Sequence, residues 1–173
     1  MSDSSKKLRK LVLIALLTTV LFVQEQALTF LPNIQFTFLL LVIFAVTFSF
    51  GENVLIIIIH VIADNLVMGS FNLIYVPFML IGYLIIPILF KTVFRKVKNT
   101  FVIAIIGALM SIIYCWVFII PSTIIMHIDF LTYLIMDIPF EIILALSTFI
   151  SVIWLFDPIK KMIDQQLELK SIN

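Results

Sequence analysis

Charge is what this sequence has least of. Only 12% of its 173 residues are Asp, Glu, Lys or Arg, while 63% are hydrophobic, and the mean hydropathy is +1.25. Soluble domains carry about 25% charged residues, and so short a chain has too little interior to hide that much apolar surface from water. A water-soluble domain is thereby excluded. The single cysteine, Cys115, rules out an intramolecular disulfide and any cysteine-based metal cluster. No glycine-rich phosphate loop is present, and no His-Glu-x-x-His helix, so P-loop nucleotide chemistry and a zincin-type protease are set aside. No Ser–His pair lies in a nucleophile setting, and no dense basic patch interleaved with aromatics points to nucleic acid. The expectation is a chain that is not an enzyme, with no cofactor and no metal. Runs such as LLLVIF and VLIIIIH do not alternate, which excludes a β-barrel.

What the chain does have is long apolar runs. A helical bilayer span needs about 17–25 predominantly apolar residues, and six fit, at about 11–27, 32–50, 53–68, 73–90, 100–120 and 137–156. The fold expected is all-α: a polytopic six-transmembrane-helix bundle forming one integral-membrane domain over 1–173. Pro32 suits a first helical turn, Gly51 marks a helix stop, and Gly69-Ser70-Phe71-Asn72 marks a turn. Pro77 and Pro87 are expected kinks, and Pro121 and Asp157-Pro158 are expected ends. The residues between the last two spans, 121–136, read as an interfacial or re-entrant segment. Lys6–Lys10 before an apolar run looks like the start of a signal peptide, but no small-x-small cleavage site follows, so none is expected. Six spans put all eleven Lys and Arg on one side of the membrane, and the loops after spans one, three and five have none. By the positive-inside rule both termini are cytoplasmic.

The stretch from Asn53 to Tyr75 carries the strongest chemical signal. Ionisable groups at bilayer depth cost roughly 2.5–3.5 kcal/mol on insertion scales, yet His60 and Asp64 sit inside an apolar run. Asn53, His60 and Asp64 share one helical stripe, which should face protein or water. Either a His–Asp hydrogen bond pins two helices together, or the pair belongs to a ligand site or relay. Two ligands four residues apart are too few to argue for a metal. The other polar residues of the lysine-free half are Glu25, Gln26, Asn33, Gln35, Asn65, Asn72, Tyr75, Tyr114, Trp116, His127, Asp129, Tyr133, Asp137 and Glu141. Asp137 and Glu141 share a helix face, either as a pair of site carboxylates or simply as acids favoured near a helix N-terminus. The basic half is nearly featureless, which disfavours a channel and suggests a pocket open to the outside. In the first span Ala15 and Thr19 form a small-xxx-small pair, suited either to packing within the bundle or to docking a partner helix.

At this point the chain resembles the substrate-binding S component of energy-coupling factor (ECF) transporters. The likeness lies in six short spans with a polar outer end, the Ala15/Thr19 pair, Leu31-Pro32-Asn33-Ile34-Gln35, and Asp64-Asn65-Leu66-Val67-Met68-Gly69-Ser70-Phe71-Asn72 followed by Leu80-Ile81-Gly82-Tyr83. The resemblance implies a multi-pass protein of the bacterial cell membrane, in contact with lipid, that captures a vitamin or other small micronutrient. It also implies docking on a transmembrane coupling protein driven by two ATPase subunits. Ala15 and Thr19 would dock, although the family usually has Ala at the second position. Glu25, Asn33, Gln35, His60, Asp64, Asn65, Asn72, Tyr75, Tyr114, Trp116, Asp137 and Glu141 would bind the nutrient. The chain starts Met1-Ser2-Asp3 and lacks the Met-His start of the cobalt- and nickel-specific branch. A second likeness is to the rod-shape protein MreD, with Asp64 ahead of Gly69; it implies a ligand-free scaffold of the cell-wall elongation machinery.

Overall fold

The computed structural model describes residues 3–67 and 73–168. These form six helices: α1 (Asp3–Ala27), α2 (Thr37–Thr47), α3 (Phe50–Val67), α4 (Tyr75–Lys91), α5 (Thr100–Met126) and α6 (Phe130–Glu168). No strand occurs among the described residues. The helices run alternately up and down. Lys10 near the start of α1 meets Glu52 at the start of α3 at 2.6 Å, and Gln26 at the end of α1 meets Asp64 near the end of α3 at 2.6 Å. Thr100 opening α5 bonds Asp157 late in α6. One end of the bundle therefore collects Lys10, Lys91, Arg95, Lys98 and Lys160, the basic end. The other collects Gln24, Glu25, Gln26 and Asp64, the polar end.

α2 is the axle. Its sequence TFLLLVIFAVT is apolar all round, the mark of a helix enclosed on every side. Every residue from Thr37 to Ala45 is buried, and the helix touches each of the other five. α5 and α6 make the most extensive pair around it. In lipid-like surroundings the free N–H and C=O groups at helix ends need protein partners, and α2 has them. Phe36 N–H, just ahead of the helix, donates to Gln24 Oε1 at 2.9 Å. At the far end Asn53 Nδ2 lies 3.1 Å from Phe44 O and 3.2 Å from Phe48 O.

Several expected boundaries move. The segment expected as a span over 32–50 is only 11 residues of helix, about 16 Å long at 1.5 Å per residue. Pro32 lies ahead of it in a turn closed by Ile34 N–H to Leu31 O at 3.2 Å, with Asn33 in the left-handed region, φ 59°. Gly51 does not stop a helix; the break falls at Phe48-Ser49, and Gly51 sits in the first turn of α3. A reciprocal capping box explains the shift: Ser49 N–H donates to Glu52 Oε2 at 2.9 Å and Glu52 N–H to Ser49 Oγ at 3.4 Å. Pro77 lies in the first turn of α4, where a missing N–H costs nothing, while Pro87 is inside the helix.

The interfacial or re-entrant segment expected over 121–136 does not exist as a separate element. α5 runs through Pro121 to Met126, and α6 begins at Phe130. Between them His127 adopts φ 53° as the left-handed C-cap of α5. Asp129 starts α6 by accepting from Thr132 N–H at 3.0 Å, and its hydrogen bonds to the Thr132 side chain and backbone hold its carboxyl below the ordinary range. Asp157-Pro158 does not end α6, which continues to Glu168. Proline removes one backbone bond without ending a helix whose flanks are packed, and Asp157 is tied to Thr100 while Ile163 is buried. The turn at Gly69–Asn72 lies outside the described residues.

Among the described residues three helices are long and apolar enough to cross a membrane, Phe50–Val67, Thr100–Met126 and Phe130–Leu167, rather than the six expected. α2 and α4 are shorter apolar helices. The exterior agrees with a membrane location, because large apolar side chains are exposed along α3 (Leu55, Ile59, Ile62, Leu66), α5 (Phe101, Leu109, Ile120) and α6 (Ile142, Ile150, Trp154). Contiguous apolar surface on that scale is foreign to a soluble monomer.

One glycine is dictated by packing. A Cβ on Gly82 would stand 2.6 Å from Tyr114 Cδ2, whereas one on Gly107 would meet nothing closer than 3.4 Å. The Tyr114 ring cannot retreat, being stacked on Tyr83 at 4.4 Å and met edge-on by Phe38. Gly82→Ala should therefore destabilise the bundle by about 1–3 kcal/mol. Gly107→Ala should stay within about 1 kcal/mol of the parent. Thermal unfolding of the two variants in detergent checks this; equal melting temperatures would contradict the close contact.

Candidate functional site

α1 ends in three consecutive polar residues, Gln24, Glu25 and Gln26, and successive helical side chains point about 100° apart. Each therefore reaches a different neighbour. Gln24 Nε2 donates to Thr37 Oγ1 at 2.8 Å, at the start of α2. Gln26 Nε2 donates to Asp64 Oδ1 on α3. Glu25 Oε2 points between them, 2.9 Å from Thr37 Oγ1 and 3.1 Å from His60 Nε2. Thr37 Oγ1 is also 3.1 Å from Gln35 Oε1. A hydroxyl has one proton, so Glu25 and Gln35 compete for it. Gln35 is itself held to α6, its N–H donating to Ser147 Oγ and its C=O accepting from the same hydroxyl, both at 3.3 Å.

His60 lies at the centre of this network, with 0% of its surface exposed. The Glu25 contact is close enough for charge attraction but is not aligned as a hydrogen bond, and neither ring nitrogen has a hydrogen-bond partner. The imidazole lies 5.6 Å from the Tyr83 ring, which stacks on Tyr114. It also lines a cavity of about 250 Å³ between α1 and α3, shared with Ala15, Thr18, Thr19, Ile59 and Ala63. Asn53, on the same stripe, is fully occupied in tying α2 to α3.

The residues expected to form one site fall into separate groups. Glu25, Gln35, His60 and Asp64 come together, with Tyr114 behind them. Asn33 joins α6 instead, donating from Nδ2 to Phe140 O at 3.1 Å. Asn65 turns toward α4 and donates to Val61 O and Met79 Sδ. Tyr75 stacks on Phe118 and lies 3.4 Å from Ser122 Oγ. Asp137 and Glu141 stand on α6 close to Cys115. Glu141 is 8% exposed with Oε1 unpartnered, and the Trp116 ring beside it is 52% exposed. Asn72 lies outside the described residues. Ala15 and Thr19 are on the exposed face of α1, and the Thr19 hydroxyl folds back onto Ala15 O at 2.9 Å.

Thr37, Gln24, Tyr83 and Ser147 belong to the network although the sequence did not single them out as site residues. Thr37 had a signal, being the last polar residue before a wholly apolar run. Gly82-Tyr83 had one too, since glycine in a helix often marks close approach. Ser147 and Gln24 had none. Chemically, the cluster accepts hydrogen bonds and attracts positive charge through Glu25 and Asp64, backed by the packed rings of Tyr83 and Tyr114. No group of three His, Cys, Asp or Glu among the described residues is arranged to hold a metal ion.

Thr37→Val keeps the shape but leaves Gln24 and Glu25 with a methyl where both had a partner. Stability should fall by about 1–3 kcal/mol, the cost of unpaired buried polar groups. Thr19→Val, on the exposed face, should stay within about 0.5 kcal/mol. Chemical or thermal unfolding in detergent measures both.

No family model, curated protein or solved structure matches this chain.

Proposed function

We propose that this chain is the substrate-specific component of an ECF-type importer: a six-helix membrane protein whose polar end faces outward and takes up a small water-soluble nutrient. The observation that carries the reading is His60, wholly buried, beside two carboxylates, with both ring nitrogens lacking a hydrogen-bond partner. Orphaned buried polar groups cost about 1–3 kcal/mol each, and in a native protein they call for an explanation. A ligand that hydrogen-bonds to the imidazole supplies one. Glu25, Gln35 and Asp64 would accept its N–H or O–H groups, with the Tyr83 and Tyr114 rings packed behind the imidazole. With no Lys or Arg at this end, the site suits a neutral or cationic ring compound better than an anion.

The orientation follows from the cations at the other end, which belong in the cytoplasm. Ala15 and Thr19 line the same cavity as His60, so a coupling protein docked on α1 would press against a wall of the binding site. The Thr19 hydroxyl, spent on its own helix, adds only bulk to that face. The two ATPase subunits would act through the coupling protein.

One observation favours a second reading, an MreD-like scaffold without ligand. Asp64 is already paired with Gln26 and Glu25 with Thr37, and a network satisfied from within needs no guest.

Thermal shift of the detergent-purified chain against vitamins and nucleobases separates the two. For the importer, one compound stabilises the fold by mass action, about 2.7 kcal/mol at a hundredfold excess over Kd. Glu25→Gln or Asp64→Asn should then weaken binding tenfold or more, about 1.4 kcal/mol. Ala15→Leu or Thr19→Leu should reduce co-purification with ATPase subunits. A silent panel together with co-purified wall-synthesis proteins would favour the scaffold.

A further inference from the structure

The basic end holds a cavity of about 420 Å³ that the nutrient reading does not use. Four cations line it, Lys91, Arg95, Lys98 and Lys160, against one acid, Asp157. Asp157 is engaged with the Thr100 hydroxyl at 2.9 Å. Lys160 pairs with Asp164 one turn further along α6, and Lys91 lies within the field of Glu52. Arg95 and Lys98 have no carboxylate partner among the described residues. Like charges gathered around a shared space repel, and an anion placed between them relieves that repulsion.

The rest of the wall is apolar: Phe90, Phe94, Ile103 and Phe156. Phe90 and Phe156 belong to the buried core, while Arg95 and Lys98 are exposed at the rim. The cavity is more than ten times the roughly 30 Å³ that one water occupies in the liquid, roomier than a bare oxyanion needs. A fully hydrated anion would gain nothing from its aromatic floor. An amphiphile fits both halves, with phosphate at the cations and glycerol and first methylenes on the aromatics. The level is right as well, because Ile88, Phe101 and Val102 expose apolar surface on the helices that enter the cavity. Basic pockets between spans on the cytoplasmic side suit anionic headgroups.

We propose that this cavity seats the phosphate headgroup of an anionic membrane phospholipid, with Arg95 as a forked donor and Lys98 as a point charge. The inference rests on the membrane-embedded reading with the basic end inside, and not on nutrient capture at the opposite end.

The test titrates the full chain in neutral detergent with dihexanoyl-phosphatidylglycerol, dihexanoyl-phosphatidylcholine or inorganic phosphate, reading the melting temperature. Phosphatidylglycerol should raise it saturably, and the other two should not at equal concentration. Arg95→Gln/Lys98→Gln should keep or raise the lipid-free melting temperature and lose roughly 25-fold in apparent affinity, about fivefold per cation. Lys7→Gln/Arg9→Gln, which removes equal charge from the start of α1, should bind as the parent does. Equal shifts with phosphatidylcholine or inorganic phosphate, or undiminished affinity in the Arg95/Lys98 variant, overturn the site. Alkaline carbonate extraction of membranes carrying the same chain keeps the two failures apart. A chain retained in the pellet without a phosphatidylglycerol preference overturns the site alone; a chain released to the supernatant overturns the membrane reading with it.

Discussion

A short helix sealed inside other helices has no water to finish its backbone. α2 is in that position, and much of the polar chemistry of this protein answers to it. Gln24 takes the N–H just before the helix, Thr37 ties its first turn to α1, and Asn53 reaches the carbonyls at its far end. These contacts also fix which way the neighbours run. α1 must bring its last turn, and α3 its first, to opposite ends of α2. Amides and hydroxyls in an apolar chain here do the work that solvent does in a soluble one.

That constraint also explains the polar end. Once Gln24 and Thr37 are committed to α2, Glu25 is left between Thr37 and His60, and Gln26 falls to Asp64. The carboxylates are held close to one another and close to an imidazole that nothing else satisfies. Structural need assembled most of the cluster; His60 is the member that structure does not account for. The binding proposal starts there, and the scaffold alternative draws its support from the same hydrogen bonds.

Much of this was legible from residue order alone, for identifiable reasons. Apolar run length gave the helices, and the 3.6-residue period put Asn53, His60 and Asp64 on one stripe, of which Asn53 and His60 are buried and Asp64 is half-buried. The sorting of cations anticipated the shared basic end. Boundaries were less legible. Pro121 and Pro158 read as stops, because proline's local cost is visible in sequence and the packing that tolerates it is not. Ser49-x-x-Glu52, rather than Gly51, carries the boundary signal at the start of α3. The separation of Asp137 and Glu141 from His60 was beyond reach, because it depends on the way α6 packs against α5. Among the described residues three helices, not six, have the length and composition to span a bilayer; α2 falls short because it is shortened by a polar turn whose anchors lie in α1 and α6.

The continuity of α6 has a consequence for where the folded unit stops. The apolar stretch gives out near Phe156, but Ile159 and Leu167 still rest on the core and Ile163 is 1% exposed. Spaced four residues apart, they form a seam that laces the final turns to the underside of the bundle. Trimming the chain where its hydrophobicity fades would unzip that seam and leave the base of the bundle open.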